Sequence, residues 1–99
     1  MRTRIKICGI SRNEDARAAV AAGADAIGLV FYPASKRAVS VDAARDIVAG
    51  LPAFVTITAL FVDAEREAVE QVCGQLPVNL LQFHGNESAE YCESFALPY

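Results

Sequence analysis

Five side chains in this 99-residue sequence are of types that move protons or grip anions: Lys6, Cys8, Arg37, Asp63 and His84. A cysteine acts as a base or nucleophile where nearby positive charge or a helix N-terminus favours its thiolate. Elsewhere it is a small apolar residue that packs in a core. Lys6 supplies part of that charge if it shares a strand face with Cys8, and otherwise reads as half of an interior ion pair. Arg37 offers a planar fork matched to a carboxylate or phosphate, although a lone loop arginine is also an ordinary solvated charge. His84 suits either proton handling or a structural hydrogen bond, and Asp63 suits a helix N-cap. None of the five is specific alone.

The elements that would position them alternate strand and helix almost four times. Strands are expected over residues 4–8, 26–31, 54–62 and 78–83, from short apolar and β-branched runs bounded by turn residues. Ser11-Arg12-Asn13-Glu14 has the form of a capping box opening a first helix, with Gly23 as its C-terminal cap. Ser40 is expected to cap a second helix carrying Val41, Ala44, Val48 and Leu51 and stopped by Pro52. Asp63 is expected to cap a third, with Val69, Val72, Cys73 and Leu76 as its stripe. Asn86 or Ser88 opens a fourth, with Ala89, Cys92 and Phe95 on one face. If Ile5 and Ile7 pack under helices, Lys6 and Cys8 point to the opposite face, with Lys6 deeper and Cys8 at the mouth.

Such alternation argues for right-handed βαβ units and a parallel sheet, either open and doubly wound or closed as a barrel. The dinucleotide fingerprint and the P-loop are both missing, which weakens the nucleotide-binding open sheet. A (β/α)8 barrel usually needs about 250 residues. Residues 1–99 are therefore expected to be about the first four units, the N-terminal half of a single barrel domain whose C-terminal half is missing. A non-catalytic half-barrel that buries its open edges by dimerising is the alternative.

Composition narrows the classes further. Hydrophobic residues make up 54% and charged residues 21%, which excludes disorder. A net charge of −3 with scattered basic residues gives no nucleic-acid footprint. No apolar run reaches the roughly 18 residues of a membrane span, and the start has no signal-peptide core. A cytoplasmic setting is expected. Three cysteines without C-x-x-C spacing argue against a disulfide framework or a zinc site, and Cys73 and Cys92 read as small core residues.

Read together, the segments become specific. Lys6-Ile7-Cys8-Gly9-Ile10, Asn13 to Ala16, Gly23-Ala24-Asp25-Ala26-Ile27-Gly28, Val30-Phe31-Tyr32-Pro33 with Ser35-Lys36-Arg37, Leu60-Phe61-Val62 and Leu81-Gln82-Phe83-His84-Gly85 occur in order. The series resembles the phosphoribosylanthranilate isomerase family across nearly the whole chain. That resemblance implies an Amadori rearrangement of N-(5-phosphoribosyl)anthranilate to 1-(2-carboxyphenylamino)-1-deoxyribulose 5-phosphate, in tryptophan biosynthesis, without metal or organic cofactor. It assigns the general base to Cys8 and the anthranilate carboxylate to Arg37, and puts His84 near the substrate with no proton-transfer step. It also implies a monomer or homodimer when intact. The family's general acid, an aspartate on a later strand, and its phosphate-binding loops have no counterpart before Tyr99, so the 99 residues alone are expected to be catalytically silent. Indole-3-glycerol-phosphate synthase is the rival enzyme; it relies on a lysine and glutamates in another arrangement and on an extra N-terminal segment.

Overall fold

In the computed structural model, which describes residues 3–99, four strands and four helices alternate along the chain. The strands are β1 (Lys6–Cys8), β2 (Ala26–Val30), β3 (Thr56–Phe61) and β4 (Leu80–Phe83). The helices after them are α1 (Asn13–Ala21), α2 (Val41–Val48), α3 (Arg66–Gln75) and α4 (Ala89–Glu93). All neighbouring strands pair in parallel, in the order β1-β2-β3-β4. A doubly wound sheet reverses its order at a switch point; these strands advance in one direction, as the units of a (β/α)8 barrel do.

Side-chain alternation divides the sheet into two faces. Ile27, Leu29, Ile57, Ala59, Phe61 and Leu81 lie in the buried core under the helices. Lys6, Cys8, Gly28, Thr58 and Gln82 alternate with them on the other face. The sheet curls around that second face so far that its two outer strands meet through side chains, the Lys6 ammonium donating to the Gln82 amide oxygen. A row of rings braces the helix side near the strand ends. Phe61 stacks on Phe31 at 5.6 Å and tilts against Phe83 at 6.3 Å, and Phe83 meets Tyr91 and Phe95 at 5.7 and 5.9 Å. Each fully buried ring of this size stabilises the fold by about 1.5–3 kcal/mol.

The outer edges differ from the interior. Ile5 and Ile7 belong to the helix-facing set, yet are 47% and 41% exposed. At the other edge the Leu81 amide donates to the Pro98 carbonyl at 2.8 Å, the position where a next parallel strand would pair. Among the described residues no helix is long and apolar enough to cross a membrane.

Local signals mostly act where expected. Gly23, at φ +102°, closes α1 with the paired bonds of a Schellman motif, Ala24 to the Ala19 carbonyl and Gly23 to the Val20 carbonyl. Ser40 and Ser88 accept from the Ala43 and Tyr91 amides at 3.1 Å and cap α2 and α4. The capping box at Ser11 does not form. The N-cap of α1 is Arg12, which makes no side-chain cap bond, so Ser11 lies one residue too early to reach the first turn. Helix α2 also ends earlier than expected, at Val48, and Gly50 at φ +76° turns the chain before Pro52. The Asn13 amide meets the orphan carbonyls at that end: Asp46 at 3.1 Å, Ile47 at 2.8 Å and Ala49 at 3.3 Å.

Candidate active site

Cys8 is the last residue of β1, and its thiol is exposed at the C-terminal rim of the sheet rather than packed as a core residue. The next two residues fix its position. The Gly9 and Ile10 amides both donate to the Gly28 carbonyl, at 3.0 and 3.1 Å, and Ile10 is buried beneath. Gly9 turns the chain at φ +79°, a conformation open to glycine and strained for other residues. Gly28 is the ladder partner of Cys8; a Cβ there would stand 3.0 Å from Cys8 Sγ and 3.1 Å from Cys8 Cα. The missing side chain lets the thiol lie over β2.

Arg37 arrives from the loop after β2. Ser35 organises that loop: its amide donates to the Tyr32 carbonyl at 2.9 Å and its hydroxyl accepts from the Arg37 amide at 3.1 Å. The chain then turns back so that Ala38 bridges to Val30, and the Val39 amide donates to the Val30 carbonyl at 2.9 Å. This return lays the Arg37 side chain across Gly9. A Cβ at Gly9 would meet Arg37 Cδ at 2.6 Å and Nη1 at 3.2 Å. The arginine fork is exposed, and the side chain that carries it lies over the residue next to the thiol.

His84 continues β4 by one residue, its amide donating to the Phe61 carbonyl at 3.0 Å. Its Nε2 lies 2.8 Å from Gln82 Nε2, and the Gln82 oxygen accepts from Lys6. Lys6 therefore meets a neutral amide where the ion-pair reading called for a carboxylate. Lys6, Gln82, His84, Gly85 and Glu87 line one side of an open hollow of about 630 Å³ along β4.

Asp63 does not cap α3. It has a left-handed backbone, φ 48°, and its carboxylate accepts from the Asn86 amide at 2.7 Å; Glu65 is the N-cap of α3, without a side-chain bond. Asp63 is instead half of a clamp between the loops after β3 and β4. Glu87 completes it by accepting from the Asp63 and Gly85 amides, both at 2.8 Å. Gly85 has no side chain, and this leaves room for the Asp63 carboxylate.

Burial perturbs several ionisable side chains packed around α3 and α4. Burial pushes the Cys73 and Cys92 thiols up from their ordinary value, and the nearby Glu87 carboxylate adds to the effect at Cys92. Burial likewise raises the Tyr91 phenol, whose hydroxyl donates to the Ala64 carbonyl at 2.7 Å. No group of three or more His, Cys, Asp or Glu among the described residues is placed to hold a metal.

Gln82 was not among the site candidates, although alternation puts it on the same face as Lys6 and His84 and could have found it. The spatial roles of Gly9 and Gly28 leave no such trace, since they depend on where a distant loop and a neighbouring strand arrive. The arrangement thus brings a thiol to the rim, a guanidinium across the next residue, and an imidazole to the end of β4.

A model of the N-(5'-phosphoribosyl)anthranilate isomerase family matches residues 5–98. The chain is 58% identical over 99 residues to the N-(5'-phosphoribosyl)anthranilate isomerase of Dechloromonas aromatica, covering 100% of this chain and 48% of that protein. The Cellvibrio japonicus protein of the same name is 61% identical over 95 residues, covering 96% of this chain and 44% of its own length. Among solved structures, a phosphoribosyl anthranilate isomerase in complex with reduced 1-(o-carboxyphenylamino)-1-deoxyribulose 5-phosphate superposes with a TM-score of 0.92 at 45% identity. That match covers 96% of this chain and 49% of the other. The chain spans about half the length of the curated relatives it matches. With four parallel βα units, the ordered motifs and these matches in agreement, the chain belongs to the N-(5'-phosphoribosyl)anthranilate isomerase family.

Proposed function

We propose that these residues are the N-terminal half of a (β/α)8-barrel isomerase acting on N-(5-phosphoribosyl)anthranilate in tryptophan biosynthesis. The carrying observation is that Arg37 lies across the glycine next to Cys8. In the substrate the anthranilate carboxylate and C2 of the sugar are only a few bonds apart. A carboxylate anchor and the base that removes the C2 proton must therefore be close neighbours.

In the proposed reaction a general acid protonates the furanose ring oxygen. The C1–O bond breaks as the anilino nitrogen lone pair forms a Schiff base. The Cys8 thiolate takes the C2 proton, and the C2–H electron pair forms the enolamine. Protonation at C1 with loss of the hydroxyl proton then gives the ketone; all atoms are retained. Arg37 holds the carboxylate through its fork, and His84 borders the substrate. The general acid and the phosphate cradle are assigned to later strands, in keeping with the usual place of phosphate loops in such barrels. The setting is cytoplasmic, the partner a small molecule rather than nucleic acid or membrane, and the intact protein a monomer or homodimer.

The test is growth without tryptophan of a bacterial strain lacking the isomerase. The full reading frame containing these residues should support growth, and neither its Cys8→Ala variant nor the 99-residue chain alone should. Growth on Cys8→Ala would remove the base assignment. No growth on the expressed wild-type frame would remove the substrate.

A further inference from the structure

One hydrogen-bonded series crosses the concave face of the sheet from edge to edge: Lys6 to Gln82 to His84. Its polarity can be worked out from donor and acceptor types. An ammonium only donates, so the Gln82 atom facing Lys6 is the carbonyl oxygen. The other end of the same amide is then the NH2 group, and it faces His84 Nε2 at 2.8 Å. A donor aimed at Nε2 needs a lone pair there, which leaves the ring proton on Nδ1. The backbone holds both ends of the series. His84 is tied by its amide to the Phe61 carbonyl, and Lys6 is paired with Ala26 in the β1–β2 ladder.

We infer that Gln82, oriented by Lys6, is a positioning residue that holds His84 as the neutral Nδ1–H tautomer, so that the ring offers Nδ1–H as a donor to an acceptor oxygen of the bound substrate. The part of this that concerns substrate rests on the proposed isomerase reading. The tautomer does not. A lysine fits position 6 because a permanent donor there fixes which way the amide faces. A glutamine fits position 82 because it must accept at one end and donate at the other. Glutamate, the same size, accepts at both ends and would reverse the demand on the ring. Methionine at position 6 would release the amide to turn over.

The sequence contains one histidine, so long-range proton–nitrogen NMR of this 99-residue chain reads a single imidazole. In the neutral ring the expected pattern is a pyridine-type Nε2 and a pyrrole-type Nδ1. In Gln82→Glu the proton should move to Nε2, and in Lys6→Met the Nδ1–H preference should be lost. A wild-type ring protonated at Nε2 overturns the inference, and the wild-type spectrum alone decides this if a variant fails to fold. An unchanged pattern in folded Gln82→Glu also overturns it. In the full reading frame Gln82→Glu should lower kcat/KM by about tenfold, the effect of one ordinary hydrogen bond. A switched tautomer with unchanged kcat/KM removes the donor role toward substrate. An inactive wild-type frame together with the Nδ1–H pattern sinks the isomerase reading and upholds the positioning of His84 by Gln82.

Discussion

The side chain of Arg37 occupies the space that a side chain on Gly9 would need, its Cδ 2.6 Å from where a Cβ would stand. Gly9→Ala should therefore act at a distance from its own atoms. The left-handed backbone costs an alanine about 1–2 kcal/mol, and the new methyl group displaces the Arg37 side chain from its place across Gly9. In the full reading frame KM should rise about tenfold with kcat within about twofold, the mark of lost uniform binding. Steady-state kinetics check this; an unchanged KM would mean that packing on Gly9 does not orient Arg37.

Gly28→Ala presses on the other side of the thiol. The added methyl would lie 3.0 Å from Sγ and 3.1 Å from the Cys8 backbone, which cannot swing aside as a flexible side chain can. A displacement of about 1 Å at a reacting group can lower the rate about 100-fold. The expected result is a fall in kcat of that order with KM little changed, while iodoacetamide still modifies Cys8. A kcat within about threefold of wild type would show that the base tolerates the shift.

Asn13→Ala tests a bond that has no chemical role. Its amide serves three carbonyls at the end of α2, so loss of the side chain leaves helix-end acceptors unmet. The cost should be about 1–2 kcal/mol, and a domain of this size loses about 4–8 °C in Tm per kcal/mol. Thermal melting of the 99-residue chain reads the loss directly. An unchanged Tm would show that water replaces the asparagine without cost.

Alkaline pH should destabilise the chain through its buried thiols. Burial raises Cys92 above its ordinary value of 9.0, so the folded state holds the proton more tightly than the unfolded state does. The stabilisation is fully present below the unfolded value and is lost as pH rises through the folded one. Cys73 and Tyr91 shift in the same direction, also through burial. The urea midpoint should fall as pH rises above about 9, and less so in Cys92→Ala. An identical fall in both proteins would exclude Cys92 as a contributor.

Strand and helix order was legible in the sequence because apolar spacing changes period between elements, and Ser40, Ser88 and Gly23 act locally. Cys8, Arg37 and His84 were legible as types at strand ends or in a loop, and the family motifs supplied their order. Asp63 misled because a capping residue and a left-handed loop residue share the same preference for short polar side chains. Its actual partner, Asn86, lies in the next loop. Ser11 misled through a shift of one residue in the start of α1. Asn13 and Gln82 stood inside recognised segments, but their partners are set by packing between units, which no local pattern encodes.

The order β1-β2-β3-β4 has a consequence for how the chain is made. Each strand after β1 finds a partner in the segment synthesised just before it. Translation at about 5–20 residues per second delivers each new strand within seconds of its neighbour. Assembly of these four strands can thus keep pace with the ribosome, the growing edge receiving each next unit while the outer edge of β1 stays open.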